Sequence, residues 1–171
     1  FYRGLGVSVH SEPYSYGNLT VANVVGEISF SANPAKRYLL GAHYDSVTGT
    51  VGADDNASGT AAVIEAARIF TQYNSKYTII YALWDEEEQG LIGSAYYAQQ
   101  AAIAGDSIMG VINMDMIAYD SNSDNIADLH TRSVGTSIQL KDKMVEVNSM
   151  YSLGLTLDIK NPGSTYSDHA S

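Results

Sequence analysis

The period of the hydrophobic pattern changes repeatedly along the chain, and each change marks a predicted element. Residues 21–30 (VANVVGEISF) alternate well enough to predict a strand, with Asn33-Pro34 as the turn after it. Residues 37–42 (RYLLGA) form a short, mostly apolar run, the pattern of a buried strand. Residues 49–59 are rich in Gly, Asp and Asn and predict a loop. Residues 61–73 place Val63, Ile64, Ala67 and Phe70 at helical spacing, with Ser58 as the expected N-cap.

Residues 77–84 (YTIIYALW) are apolar throughout and rich in β-formers, the strongest strand signal in the chain. A helix is predicted over 91–104, a buried strand over 107–114, a short strand over 126–131, a helix over 134–150 and a strand over 155–159. Strands alternating with helices predict an α/β fold, a three-layer sandwich around a mixed, mainly parallel sheet, in one domain. The length suits a single core.

Acidic groups follow the predicted buried strands. The strand at 37–42 runs into His43-Tyr44-Asp45, that at 77–84 into Asp85-Glu86-Glu87-Glu88, and that at 107–114 into Asp115, while Asp54-Asp55 precede the first helix. Open α/β sheets bind ligands at the carboxyl ends of their strands, so these groups are expected on one edge. Gathered carboxylates repel one another and lose solvation, which calls for a cation among them. One imidazole with several carboxylates suits zinc or a harder divalent ion such as manganese. His43, Asp55, Glu88 and Asp115 exceed the needs of one zinc and suit two ions about 3.5–4 Å apart sharing a carboxylate. The competing reading is plain: acidic residues after strands also serve as turn formers and helix caps.

Composition narrows the partners. Nineteen acidic residues against nine basic ones give a formal charge of −10. Such a surface repels nucleic acid and anionic membranes, and no apolar run reaches bilayer length. The absence of cysteine removes thiolate nucleophiles, disulfides and sulfur-ligated zinc. No HExxH, G-x-S-x-G or P-loop pattern occurs. The chain carries no signal-peptide pattern and starts at Phe1, as an excerpted or processed chain would.

Four ordered motifs carry a resemblance: His43-Tyr44-Asp45, GADDNASG at 52–59, EEQGLIGS at 87–94 and NMDM at 113–116. Together they resemble metallopeptidase family twenty-eight, the co-catalytic dizinc aminopeptidases, with glutaminyl cyclases among the relatives. The resemblance implies a zinc exopeptidase acting on peptides with a free N-terminus, outside the cell or in the periplasm. It implies His43 and Asp115 on one zinc, Glu88 on the other, Asp55 bridging both, Glu87 as general base and Asp45 orienting the His43 ring. It also implies a cis bond at Asp55-Asn56.

The same resemblance implies one further ligand, a histidine downstream of a Ser-Asp-His segment. Ser167-Asp168-His169 matches that segment, and the sequence ends two residues later. That ligand, with a strand and a helix, is therefore expected from a C-terminal segment outside these residues, which would be a partner of this chain. His169 and Asp168 are read as lining the pocket or as supporting the residues that hold the metal. Rival readings are a carboxypeptidase or dipeptidase, a single-zinc glutaminyl cyclase, and a non-catalytic scaffold or inactive fragment.

Three further patterns are weaker. Residues 120–124 resemble the opening of a calcium loop but have Asn125 where glycine is needed, which predicts a polar turn. Asn18 and Asn56 head glycosylation sequons, the second discounted because it falls in the predicted metal loop. His10 and His130 have no companions and are read as ordinary polar positions.

Overall fold

The structure is a computed structural model and describes residues 6–29 and 33–171. These form two compact units: one runs to Ile117 and includes Ser167–Ser171, and the other is Ala118–Tyr166.

The first unit holds a five-stranded sheet of β1 (Ser8–Tyr16), β2 (Leu19–Ile28), β3 (Asn33–His43), β4 (Tyr77–Trp84) and β5 (Ser107–Asn113), in the order β1-β2-β4-β3-β5. The sheet is mixed. Strands β4, β3 and β5 run parallel, while β1 and β2 join antiparallel at the β4 edge. Helix α1 (Ala57–Phe70) connects β3 to β4, and α2 (Ile92–Ala104) connects β4 to β5. The crossover that parallel pairing demands is supplied each time by a helix.

Alternation along β4 assigns the two faces. Tyr81 and Leu83 pack with Ala42 of β3 and with Val63 and Ala67 of α1. Ile80, Ala82 and Trp84 pack with Leu39 and with Tyr97 and Ala101 of α2. Successive strand side chains point to opposite faces, so α1 and α2 cover opposite sides of the sheet and make three layers. The apolar run of 77–84 is thus explained: β4 lies between β2 and β3 with a helix on each face. Each large side chain buried there contributes roughly 1.5–3 kcal/mol relative to exposure.

Three expectations need correction. Asn33-Pro34 do not end the preceding strand; they open β3, which is irregular between Asn33 and Arg37 before its regular pairing with β4. The preceding strand ends at Ile28, and Phe30 lies outside the described residues. The N-cap of α1 is Asn56, whose side chain accepts from the Gly59 N–H at 3.0 Å, not Ser58. Ser58 lies within the first turn, where its hydroxyl donates to the Asp54 carbonyl at 2.7 Å. Strand β1 was not predicted, because His10, Ser11, Glu12 and Pro13 interrupt its apolar pattern. All nine of its residues nonetheless pair in regular register with residues 19–27 of β2.

The second unit pairs β6 (Ile126–His130) in parallel with β7 (Thr156–Lys160), with α3 (Gly135–Met150) between them. The Asp120 carboxylate accepts from the backbone N–H groups of Asp124 and Asn125, each at 3.2 Å, which makes the polar turn expected there. His130 Nδ1 accepts from the Ser164 N–H at 3.0 Å.

Candidate metal centre

Parallel pairing of β4, β3 and β5 brings their carboxyl ends to one edge. His43 closes β3, the Asp85–Glu88 segment follows β4, and Asp115 follows β5. His43 is at the centre and only 1% exposed. Its Nε2 faces Asp55 Oδ1 at 3.1 Å, Asp115 Oδ1 at 3.5 Å and Glu87 Oε2 at 3.9 Å. Its Nδ1 faces the Asp45 carbonyl at 3.2 Å and Asp45 Oδ1 at 3.4 Å. The ring therefore turns one nitrogen to a positioning partner and the other to a group of carboxylates.

Asp45 also ties this strand end to the next loop. Its Oδ1 accepts from the Glu87 N–H at 3.1 Å and its Oδ2 from the Glu88 N–H at 3.2 Å. Burial alone would raise its pKa, but the His43 ring and these two amides outweigh that and hold the carboxyl below the usual range.

Asp115 is held by a relay. The Trp84 indole N–H donates to Asn113 Oδ1 at 3.3 Å, the Asn113 amide donates to Ser167 Oγ at 3.2 Å, and Ser167 Oγ donates to Asp115 Oδ2 at 2.6 Å. The second oxygen, Asp115 Oδ1, makes no well-formed hydrogen bond although buried, and neither does Glu88 Oε1. Burial of Asp115 is outweighed by His43 and Ser167, which hold its carboxyl low.

The Asp55-Asn56 bond is cis, as the resemblance implied. Asn56 then links the metal loop to the Asp115 segment: besides capping α1, its amide donates to the Met114 carbonyl at 3.0 Å. Gly59 is required at this crossing, since a Cβ there would lie 2.4 Å from both Asn56 Oδ1 and the Met114 carbonyl oxygen. The Asn56 side chain is 1% exposed and fully used, so its sequon is a structural position.

The electrostatics call for a positive charge. Burial alone would lower the His43 pKa, but Asp115, Asp45 and the nearby Glu87 push it up to about 11, the pull that surrounding carboxylates exert on the one basic group among them. Burial pushes Glu87 up to about 7, helped by the charges of Asp168, Asp115 and Glu88 and opposed by His43. Burial, then Asp55, also raises Glu88. Asp168 is pushed up to about 6, again by burial. The Ser94 hydroxyl partly offsets that rise, yet it is spent on the Leu91 carbonyl and Ser171 Oγ, and neither Asp168 oxygen has a formed hydrogen bond.

All the candidate residues read from sequence come together. Ligand atoms within 4.8 Å of one another form two overlapping triads, His43–Asp55–Glu88 and His43–Glu87–Asp115. The donor set is one imidazole nitrogen and carboxylate oxygens, with two buried oxygens unsatisfied, and it fits a divalent ion. Sequence reasoning missed Asn23, Tyr14 and the cap role of Asn56; nothing in their local pattern signals a polar side chain bonded to a distant backbone.

The sequence matches the model of peptidase family M28 over residues 23–171. The chain belongs to peptidase family M28. A probable zinc metalloprotease of Pyrenophora tritici-repentis is 32% identical to this M28 chain over 145 residues, covering 80% of it and 33% of the relative. LapB from Legionella pneumophila superposes with a TM-score of 0.81 at 26% identity, over 98% of this chain and 46% of that one. BSAP, a zinc aminopeptidase from Bacillus subtilis, gives 0.73 at 25% identity, over 92% and 38%. A glutaminyl cyclase of Fimbriiglobus ruber, with a TM-score of 0.70 at 19% identity, over 92% of this chain and 63% of that one, shares the fold. The M28 chain thus spans a third of the length of that curated relative and under half of the first two solved structures.

Proposed function

We propose that this chain carries the metal centre of a zinc-dependent aminopeptidase that removes N-terminal residues from peptides. The observation that carries the reading is the meeting of His43 Nε2 with Asp55, Glu87 and Asp115 at one sheet edge, with Glu88 in the same cluster. Membership in M28 and the likeness to a zinc aminopeptidase support the choice of metal and reaction.

In this reading His43, Asp55, Glu88 and Asp115 would hold zinc, two ions in the complete site. Zinc, when bound, supplies Lewis acidity toward water and the scissile carbonyl. Glu87 takes a proton from the attacking water and returns it to the departing amine. Burial raises its pKa, the direction that makes a carboxylate a stronger proton acceptor. Asp45 would fix the His43 tautomer by accepting a hydrogen bond from Nδ1–H, leaving Nε2 free to ligate. Ser167 keeps Asp115 oriented with one oxygen free.

Glu87→Ala in the full-length protein is the test. Zinc by elemental analysis and hydrolysis of an aminoacyl p-nitroanilide are measured together. Retained zinc with a rate at least about 100-fold lower is expected of a lost general base. A zinc-loaded variant turning over at the wild-type rate would end the assignment of Glu87.

A further inference from the structure

The segment that carries Glu87 and Glu88 is an unusual loop. It leaves β4 at Asp85, turns through left-handed backbone at Glu86 (φ 56°) and Leu91 (φ 62°), and enters α2 by Gly93. Non-glycine residues enter that region only when their surroundings hold them there. Asp45 holds the middle of the loop through the Glu87 and Glu88 amides. Its two ends are held from elsewhere.

Asn23, on β2, is completely buried. Its Oδ1 accepts from the Asp85 N–H at 3.2 Å, and its Nδ2 donates to the Gly93 carbonyl at 2.9 Å and to Glu12 Oε2 at 3.0 Å. One side chain thus grips the first residue of the loop and the first turn of α2 that follows it, while Glu12, on β1, orients its amide. The neighbours act on the same point. The Ala22 N–H donates to Asp85 Oδ2 at 3.2 Å, and the Tyr14 hydroxyl donates to the Asp85 carbonyl at 2.9 Å. Gly93 is shaped to this grip, since a Cβ there would stand 2.3 Å from Asn23 Oδ1 and 2.4 Å from the Asp85 carbonyl oxygen.

We infer that Asn23 is a positioning residue for Glu87 and Glu88, pinning both ends of the loop that carries them to the β1–β2 hairpin. It acts through the loop and touches none of the ligating atoms. A buried amide with three partners has one low-energy orientation, and losing it takes away the acceptor of the Asp85 N–H and the bond that ties the Gly93 carbonyl to β2. The hairpin, remote in sequence from the acidic motifs, thereby becomes part of the machinery that sets where they stand. This role for Glu87 rests on the function proposed above; the grip on the loop does not.

The test uses the full-length protein and three variants. Asn23→Ala removes the grip, Gly93→Ala displaces it from the other side, and Tyr14→Phe deletes only the hydroxyl bond to Asp85. Amide hydrogen exchange on metal-free protein is expected to quicken about 10-fold or more in peptides covering 85–93, with α1 unchanged; Tyr14→Phe gives a smaller change in the same direction. On an aminoacyl p-nitroanilide, Asn23→Ala lowers kcat about 10- to 100-fold with KM within about twofold. Added to Glu87→Ala it causes less than the additive loss, because the part of its effect that runs through Glu87 is already gone.

Unchanged exchange in 85–93, or an equal rise across the whole chain, overturns the inference. So does an additive loss in the double variant. Should Asn23→Ala and Gly93→Ala fail to fold, Tyr14→Phe decides alone by the same criteria. Wild-type protein without peptidase activity would sink the proposed function and leave the exchange result to judge the grip by itself.

Discussion

The Ser167 hydroxyl donates to Asp115 Oδ2 at 2.6 Å although 52 residues separate the two in sequence. The bond occupies one carboxylate oxygen and leaves the other facing His43 Nε2 at 3.5 Å. Ser167→Ala should therefore free the Asp115 carboxylate to rotate. We expect zinc affinity, measured by chelator competition, to fall about 10-fold. Unchanged affinity would show that the strand end alone orients Asp115.

Asp45→Asn keeps the shape of the side chain but removes its charge and one acceptor. The variant should lose about 10- to 100-fold in zinc affinity, because the His43 ring and the Glu87–Glu88 amides lose a common partner. The same chelator competition measures it, and a loss under twofold would remove Asp45 from the positioning shell.

Zinc should stabilise the folded chain, since the clustered carboxylates come together only on folding. At a free zinc concentration about 100 times Kd the expected gain is about 2.7 kcal/mol, read as a raised Tm against protein kept in chelator. Ligands must lose protons to bind metal, so the gain should shrink as pH is lowered from 7 towards 5. A Tm indifferent to zinc at pH 7 would argue against a metal centre.

Gly59→Ala tests the crossing of the metal loop with the Asp115 segment. Its new methyl group would meet Asn56 Oδ1 and the Met114 backbone, neither of which can swing aside. A loss of about 1–3 kcal/mol is expected from denaturant unfolding. A change within about 0.5 kcal/mol, the range of an ordinary surface substitution, would mean that the crossing is looser than described.

The sequence was most readable where pattern and chemistry coincide. The β4 run 77–84 is apolar on both faces because it is buried on both faces, and its bounds are those observed. His43 and Asp115 were legible because each directly follows a predicted buried strand, and Asp55 and Glu88 because they fall in the motifs GADDNASG and EEQGLIGS. Less readable were residues whose role is made by tertiary contact. Asn56 looks like one more loop polar residue until its amide meets Gly59 and Met114. Asn23 falls in the alternating pattern of a strand, and only the approach of Gly93 and Asp85 explains why an amide is buried there. Strand β1 was missed because its burial is partial and its polar residues face solvent or Asn23.

The two bonds that Asp45 accepts have a consequence for how the acidic cluster is divided. Each of its oxygens is already committed to a peptide N–H fixed in the backbone, and Oδ1 also faces the imidazole. An anion so committed cannot swing inward to compete for an ion without breaking the loop that carries Glu87 and Glu88. Asp115, by contrast, has one oxygen committed and one free. Coordination number at this edge is therefore governed less by how many acids the sequence supplies than by how many the peptide backbone has already claimed.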